Sequence, residues 1–498
     1  MSLPPLNRAL VESAAFQART DVGVPAPELL DLPERAVQFG TGAFLRGFVE
    51  PFLDEANRAG RFNGRVVMVG STGSGRDRVL GDQDGLYTLS VQGLDGGEPV
   101  HEQRVIGCVS RALSAVHEWS EVLACARNPE LQLAFSNTTE VGIVLDEGDA
   151  PDLSPPRSFP GKLTRFLYER ALTFDFDPAC GVVVLPCELI EDNGDRLAEI
   201  VIALARRWKL DPRFARWIAS AVPFPNTLVD RIVPGTPPAD ALLAAEAELG
   251  YRDALLTVAE AYRLFVVQGD ERLRARLPFA DLPGVTVTED VAPYRERKVR
   301  MLNGAHTVIV PAAILCGCET VLEAVGHPLI GPFLRGAMMD EIVPTLDAPG
   351  SDRYARAVLD RFANPYVRHA LMDISLQHTM KVRVRVVPTI AKYAQRFGRA
   401  PECLAFGFAA YLVFLREGRG LADDQAEQVR AHWGTHWEDA DDARLAELAR
   451  AVCGDARLWG ADLGAVPGFA DAVAAHLARM RRDGVPAALE AHLHPAAA

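Results

Sequence analysis

Ala36-Val-Gln-Phe-Gly40-Thr-Gly42-Ala-Phe-Leu-Arg46-Gly47 leads from short apolar residues through Gly-x-Gly into a helix-compatible segment, Phe48 to Ala56. The order is strand, tight turn, helix N-terminus, as in a dinucleotide-binding βα unit. Glycine permits unusual backbone angles and lets the chain come close to a pyrophosphate. The free N–H groups of the next helix attract that anion. The spacing departs from Gly-x-Gly-x-x-Gly, because Leu45 stands where the third glycine would fall and the next one is Gly47. Gly-x-Gly also suits an ordinary turn, so the flanks carry the reading. Candidate cofactor contacts here are Phe39, Gly40, Gly42, Ala43 and Phe44.

Outward from this turn, short apolar strands alternate with amphipathic stretches. Strands are expected at Arg35–Phe39, Arg65–Val69, Leu86–Gln92, Leu131–Ser136, Gly181–Pro186 and Arg263–Gln268. Helices are expected at Phe48–Arg58, Leu113–Ala126, Lys162–Leu172, Arg196–Trp208 and Asp211–Ala219. Such alternation predicts a mostly parallel sheet covered on both faces, a Rossmann-type α/β domain over residues 1–287. Beyond Val287 long Ala-, Leu- and Arg-rich stretches predict a mostly α-helical second domain, residues 288–498.

That second part contains Lys298-Val-Arg-Met-Leu-Asn303-Gly-Ala-His306. On an α-helix Asn303 would lie about 140° around from Lys298, with His306 between them. The amine, amide and imidazole then converge on one small oxygen-bearing group. The same three residues also suit two solvated side chains and a core histidine. An acid/base lysine needs burial and neighbouring charge to lower its pKa, and Arg295, Arg297 and Arg300 are near in sequence.

Composition narrows the class. With 498 residues, 49% hydrophobic and 24% charged, the chain has the make-up of a soluble protein of two or three domains. A net charge of −14 disfavours nucleic acid and acidic membrane. No apolar run is long enough for a bilayer, and Met1-Ser-Leu-Pro-Pro-Leu-Asn-Arg lacks a secretory pattern. A cytoplasmic location is the expectation. The eight cysteines form no C-x-x-C pair and no H-E-x-x-H occurs, so no metal site is expected.

Further candidates sit after apolar runs. Ser71 follows the second strand with no acid at its end, which leaves NAD against NADP open. Ser136-Asn137-Thr138-Thr139-Glu140 places Asn137 and Thr138 for cofactor contact or for a helix N-cap. Glu188 follows another strand, with Asp192 or Asn193 suited to capping the next helix. Asp230 lies in Phe224-Pro-Asn226-Thr-Leu-Val-Asp230-Arg231, either at the substrate or in a structural pair. Lys381-Val-Arg383-Val-Arg385 alternates, so three cations would share one face of an extended segment. They would form a carboxylate site or a solvated basic edge.

Taken together, these residues resemble the long-chain mannitol dehydrogenase family of NAD(P)-dependent polyol and uronate reductases. The most specific match is Tyr294-Arg-Glu-Arg-Lys298-Val-Arg-Met-Leu-Asn303-Gly-Ala-His306-Thr, which is similar to the family's K-x-x-x-x-N-x-x-H. Gln38 to Arg46, Gln83-Asp-Gly-Leu-Tyr87, Ser136 to Glu140, Pro186 to Ile190, Phe224-Pro-Asn226 and Val229 to Ile232 support it. The resemblance implies a Rossmann-type domain, a helical domain, an active site in the cleft between them and hydride transfer without a metal. It implies Lys298 as general acid/base, Asn303 polarising the carbonyl oxygen and His306 orienting substrate. It adds Glu188, Asp230, Lys381 and Arg385 as candidate substrate contacts. Two departures matter. Glu188-Leu189-Ile190 stands where polyol enzymes tend to have Asp-Asn-Leu, and Arg295 stands where they tend to have Glu. Both fit the uronate-reducing branch. The resulting expectation is reversible reduction of D-tagaturonate to D-altronate with NADH, in a monomer or small homo-oligomer. D-Fructuronate, mannitol or another polyol, or a non-catalytic nucleotide sensor, are the alternatives.

Overall fold

A computed structural model describes residues 3–71, 75–138, 142–418, 422–433 and 440–494; Thr72, Thr139 and Glu140 lie outside these. Two units divide the chain: Met1–Gly93 with Pro99–Val291, and Leu94–Glu98 with Ala292–Ala498.

The first unit holds strands β1 (Glu34–Phe39), β2 (Arg65–Gly70), β3 (Tyr87–Asp95), β4 (Glu98–Ile106), β5 (Val109–Ser114), β6 (Leu133–Ser136), β7 (Val183–Pro186), β8 (Thr227–Asp230), β9 (Thr257–Glu260), β10 (Leu264–Gln268) and β11 (Val285–Thr288). The central sheet runs β5-β2-β1-β6-β7, with every neighbouring pair parallel. Its residues alternate between two cores. Ala36, Val66, Met68, Leu133 and Phe135 face one, Val37, Val67, Val69 and Ala134 the other. Burial on both faces is what an all-parallel sheet requires, and it explains the runs of valine. The Ala43–Arg58 helix covers the first face with Leu45, Phe48 and Phe52. The Phe159–Thr173 and Asn193–Arg207 helices cover the second with Leu163, Phe166, Leu197 and Val201. Strand order reverses between β1 and β6, so the carboxyl ends of these two strands form the crevice where wound sheets bind ligands.

Two smaller sheets, β11-β10-β8 and β4-β3-β9, complete the unit. Sequence patterning did not reveal β4, β5, β8, β9 or β11. β5 is an edge strand carrying Ser110 and Arg111, whose guanidinium pairs with Glu34 at 2.8 Å. The helix expected from Leu113 therefore begins only at Trp119. β4 is polar because it is largely exposed.

The second unit is helical. Its Glu402–Arg416 helix is buried from Leu404 through Leu415. The Ala305–Leu315 and Phe469–Asp483 helices pack on it. Two helices widen into π turns at the candidate chemistry. Lys298–Gly304 lies between Ala292–Arg297 and Ala305–Leu315. Val382–Val386 lies between His378–Lys381 and Val387–Phe397. The extended strip expected over Lys381–Arg385 is thus helical. Val382 and Val386, four apart, are buried, while Val384 is exposed. Packing of that stripe overrides the strand preference of alternating valines. Among the described residues no helix is long and apolar enough to cross a membrane.

Candidate active site

In the first unit the glycine turn is shaped by backbone geometry and by buried polar groups. Gly40 has φ +128°, a conformation that side chains avoid. A Cβ there would also press on the Asn137 carbonyl at 3.4 Å. Gly47 serves a different purpose, since its missing Cβ lets Val233 approach to 2.6 Å of that position. Gly42 is the N-cap of the Ala43–Arg58 helix and offers no side chain to the first-turn amides. A Cβ on Gly42 would meet nothing within 4 Å. Among the described residues the N-cap therefore adds no side chain to the first-turn amides and has room at its Cβ position, which fits a bound pyrophosphate.

The other cofactor candidates lie at the same end of the sheet. Phe39 ends β1, and Ser71 follows Gly70 at the end of β2. Ala43 and Phe44 open the helix, and the Phe44 ring stacks on Phe48 at 5.1 Å. Asn137 and Thr138 follow β6. Asn137 donates through Nδ2 to the Cys187 carbonyl at 2.7 Å, tying β6 to β7. Among the described residues the next helix is Phe159–Thr173, and it is capped by Ser158. Glu188 is buried. It accepts from Ser136 Oγ (3.1 Å), Thr138 N (2.9 Å) and Thr138 Oγ1 (3.1 Å). Burial pushes its carboxyl above the ordinary range, and these donors pull it back. Its observed role is to hold the strand ends.

Asp77 escaped the sequence reading. A Cβ placed on Gly70 would lie 3.7 Å from the Asp77 Cβ, so this acid stands beside the end of β2. Six residues of chain lie between the two, which hid the contact. Asn226 is another. Its Oδ1 accepts from Gly194 N (3.0 Å) and Asp195 N (3.1 Å), capping the Asn193–Arg207 helix from the position just before β8. Asp192, the N-cap by position, makes no side-chain cap. Asp230 is buried at the end of β8. Its neighbour Arg231 donates to the Glu260 and Gly47 carbonyls, at 2.9 and 2.8 Å.

In the second unit the π turn changes the expected Lys298–Asn303–His306 geometry. A π turn bonds residue i to i+5, and five is the spacing from Lys298 to Asn303. Amine and amide therefore lie on successive turns of one side, not about 140° apart as on an α-helix. The turn is held at both ends. Arg297 is buried, donates to the Pro349 carbonyl at 2.8 Å and lies over the Tyr294 and Tyr354 rings. Arg300 donates to the Val384 carbonyl at 2.9 Å, which joins the two π turns. Gly304 allows this approach, since its Cβ would meet the Arg385 carbonyl at 3.3 Å. The Asn303 amide makes no hydrogen bond with the described residues and is half-buried.

His306 lies flat on Phe362, ring centres 3.8 Å apart, with His369 at 6.4 Å. Its Nε2 is buried without a partner. Burial holds its pKa well below 6.5, aided by the neighbouring His369 ring and by the cations Arg361, Arg385 and Lys381. The imidazole is neutral. Lys381 donates to the Ile374 carbonyl at 2.8 Å, and burial and Arg385 lower its pKa. The Arg385 guanidinium is half-buried and makes no ion pair among the described residues. Arg383 departs from them, its stem running against Gly460. Of the three cations expected on this strip, Lys381 and Arg385 act on the histidine, and Arg361 joins them from another element. Arg361, Phe362 and His369 were not legible, because they come from stretches with no distinctive spacing.

Family models match both units: a mannitol dehydrogenase Rossmann domain over residues 34–280 and a mannitol dehydrogenase C-terminal domain over residues 290–481. The chain belongs to the mannitol dehydrogenase family. Like the family, it is an oxidoreductase acting on CH–OH groups. It is 44% identical to an altronate oxidoreductase of Bacillus subtilis over 92% of this chain and 95% of that protein. It resembles Pseudomonas fluorescens mannitol 2-dehydrogenase, solved as a ternary complex with NAD and D-mannitol, with TM-score 0.66 and 25% identity over 99% of this chain and 100% of the other. A D-sorbitol dehydrogenase structure shares the fold at TM-score 0.76 and 24% identity, over 98% of this chain and all of that one. Mannitol dehydrogenase membership agrees with the Rossmann-type sheet and the helical second unit described above.

Proposed function

We propose that the protein catalyses the reversible, NAD-dependent reduction of D-tagaturonate to D-altronate. Among the structural features, Lys381 and Arg385 beside neutral His306 carry this reading. A sugar acid brings a carboxylate that two partly desolvated cations can hold, and a guanidinium offers it a two-pronged donor. The altronate oxidoreductase relatives support the same substrate class.

The Gly40–Gly42 turn, the uncapped helix N-terminus and Asn137 would hold the dinucleotide. Asp77 beside Gly70 favours NAD, since a carboxylate there repels a 2′-phosphate. NADH, when bound, supplies the hydride. Lys298 in its protonated form gives a proton to the keto oxygen as that oxygen gains charge. Asn303 donates its free amide N–H to the same oxygen, stabilising charge that appears only in the transition state. His306 stays neutral and fixes the substrate through Nε2, the stacked Phe362 holding its plane. In the oxidative direction neutral Lys298 takes the hydroxyl proton.

The test is steady-state oxidation of NADH, repeated with NADPH, over D-tagaturonate, D-fructuronate, D-fructose and D-sorbose. D-Tagaturonate with NADH is expected to give the highest kcat/KM. A neutral ketose in first place would overturn the carboxylate site and leave the hydride chemistry standing.

A further inference from the structure

Gln38 and Glu50 lie behind the glycine turn, both wholly buried. Gln38 Nε2 donates to Glu50 Oε1 at 2.7 Å and to the Gly40 carbonyl at 2.9 Å, which uses both of its hydrogens. Two buried atoms are then left without partners, Gln38 Oε1 and Glu50 Oε2. They belong to the same amide and carboxyl groups that the Nε2–Oε1 bond already joins. Both are acceptors while Glu50 is ionised, and leaving two buried acceptors without donors is costly. A proton on Oε2 turns the arrangement into a closed ring of two hydrogen bonds. Flipping the amide does not help, since it would turn Oε1 towards the Gly40 carbonyl.

We propose that Glu50 is a carboxylic acid in the working enzyme, and that its ring with Gln38 positions the Gly40 carbonyl and hence the dinucleotide turn. Glu50 is a positioning residue that touches no ligand. The groups around it agree. On its own helix, Arg46 donates to the Thr41 carbonyl and Thr257 Oγ1, and Asp54 pairs with Arg58. From β3 comes Tyr87, which donates to the Arg46 carbonyl. Cys108, before β5, donates to the Glu50 carbonyl, and Cys187 follows β7. Burial keeps all three of these groups neutral. Arg46 alone among these offers Glu50 positive charge, and it is the weakest influence on the carboxyl, which burial raises to about 7.

The positioning half of this proposal rests on the turn being the dinucleotide site; the ring itself does not. Infrared difference spectra of the full chain, wild type minus Glu50→Gln, test the ring below pH 7. A carboxylic C=O band is expected in the wild type and missing from the variant. No such band overturns the proposal, whatever NADH does. Should Glu50→Gln not fold, Gln38→Leu serves instead, and an unshifted carboxylic band there overturns the ring. NADH titrations by fluorescence test the positioning. Wild-type Kd is expected to rise several-fold as pH passes about 7, whereas Glu50→Gln, which can form an amide–amide ring, stays flat near the low-pH wild-type value. A wild-type Kd indifferent to pH, with the band present, refutes the coupling alone. Absence of NADH binding at every pH refutes the site reading and leaves the ring intact.

Discussion

Lys298 and Arg385 make separable demands on the reaction. Replacing Lys298 by Ala removes the proton donor and leaves both the dinucleotide turn and the cations in place. Turnover should fall by about 10²–10⁴-fold, the usual contribution of a general acid. NADH titration should be unchanged, and near-normal turnover would refute the role. Arg385→Leu removes a charge that a neutral sugar never meets. KM for D-tagaturonate should rise at least tenfold, roughly the 1.5–3 kcal/mol of a charge-assisted hydrogen bond. The smaller kcat/KM for D-fructose should stay the same. Equal losses on both substrates would show that Arg385 merely supports the π turn. Lys298, Asn303 and His306 could be read from the sequence because they fall in one short run. Lys381 and Arg385 were also named, but for a wrong reason, an extended strip that proved helical. The residues that neutralise and seat His306 come from chain sixty residues away, and no local pattern links them to it.

At the scale of elements, the strand–turn–helix unit was legible because each part has a local cause: valine strand, glycine turn, amphipathic helix. The π turns were not. An inserted residue in a helix leaves the apolar pattern nearly intact, and only packing between Arg300 and the Val384 carbonyl shows where it falls. The same local logic yields a test of the turn. Gly42 sits at φ −65°, ψ 159°, open to any residue. A side chain there enters free space before the Ala43–Arg58 helix. Gly42→Leu should therefore alter stability by no more than about 0.5 kcal/mol, as for an exposed substitution. It should nonetheless weaken NADH binding by more than tenfold, because the leucine occupies the anion's approach to the amides. Thermal melts with and without NADH check both halves. Wild type should gain melting temperature with NADH and the variant should not. An equal gain in both would place the pyrophosphate elsewhere.

Across the whole molecule, buried acids set how stability depends on pH. Each unit contains one whose carboxyl burial lifts from 4.5 to about 7, Glu50 in the first and Glu341 in the second. Glu341 accepts from Cys403 N and Leu404 N at the start of the buried Glu402–Arg416 helix, and these bonds only partly offset its desolvation. In both cases the folded state binds the proton more tightly than the unfolded chain. Between pH 4.5 and about 7 these two sites therefore carry more protons in the native state, and their contribution to stability falls as pH rises. Below this window both states are protonated and above it both are ionised, so each contribution levels off. Each rise corresponds to a loss on the order of 3 kcal/mol across the window. Urea unfolding at a series of pH values isolates these contributions as differences, since buried neutral histidines act in the opposite sense: relative to wild type, Glu50→Gln and Glu341→Gln should each gain stability as pH rises through the window. The two effects should add, because the groups belong to separate units with separate cores and share no partner. A slope that neither variant changes would mean that both carboxyls ionise freely in the native state. The ring behind the glycine turn would then be broken at physiological pH, and the dinucleotide turn would have to be held by Arg46 and the Thr41 carbonyl instead.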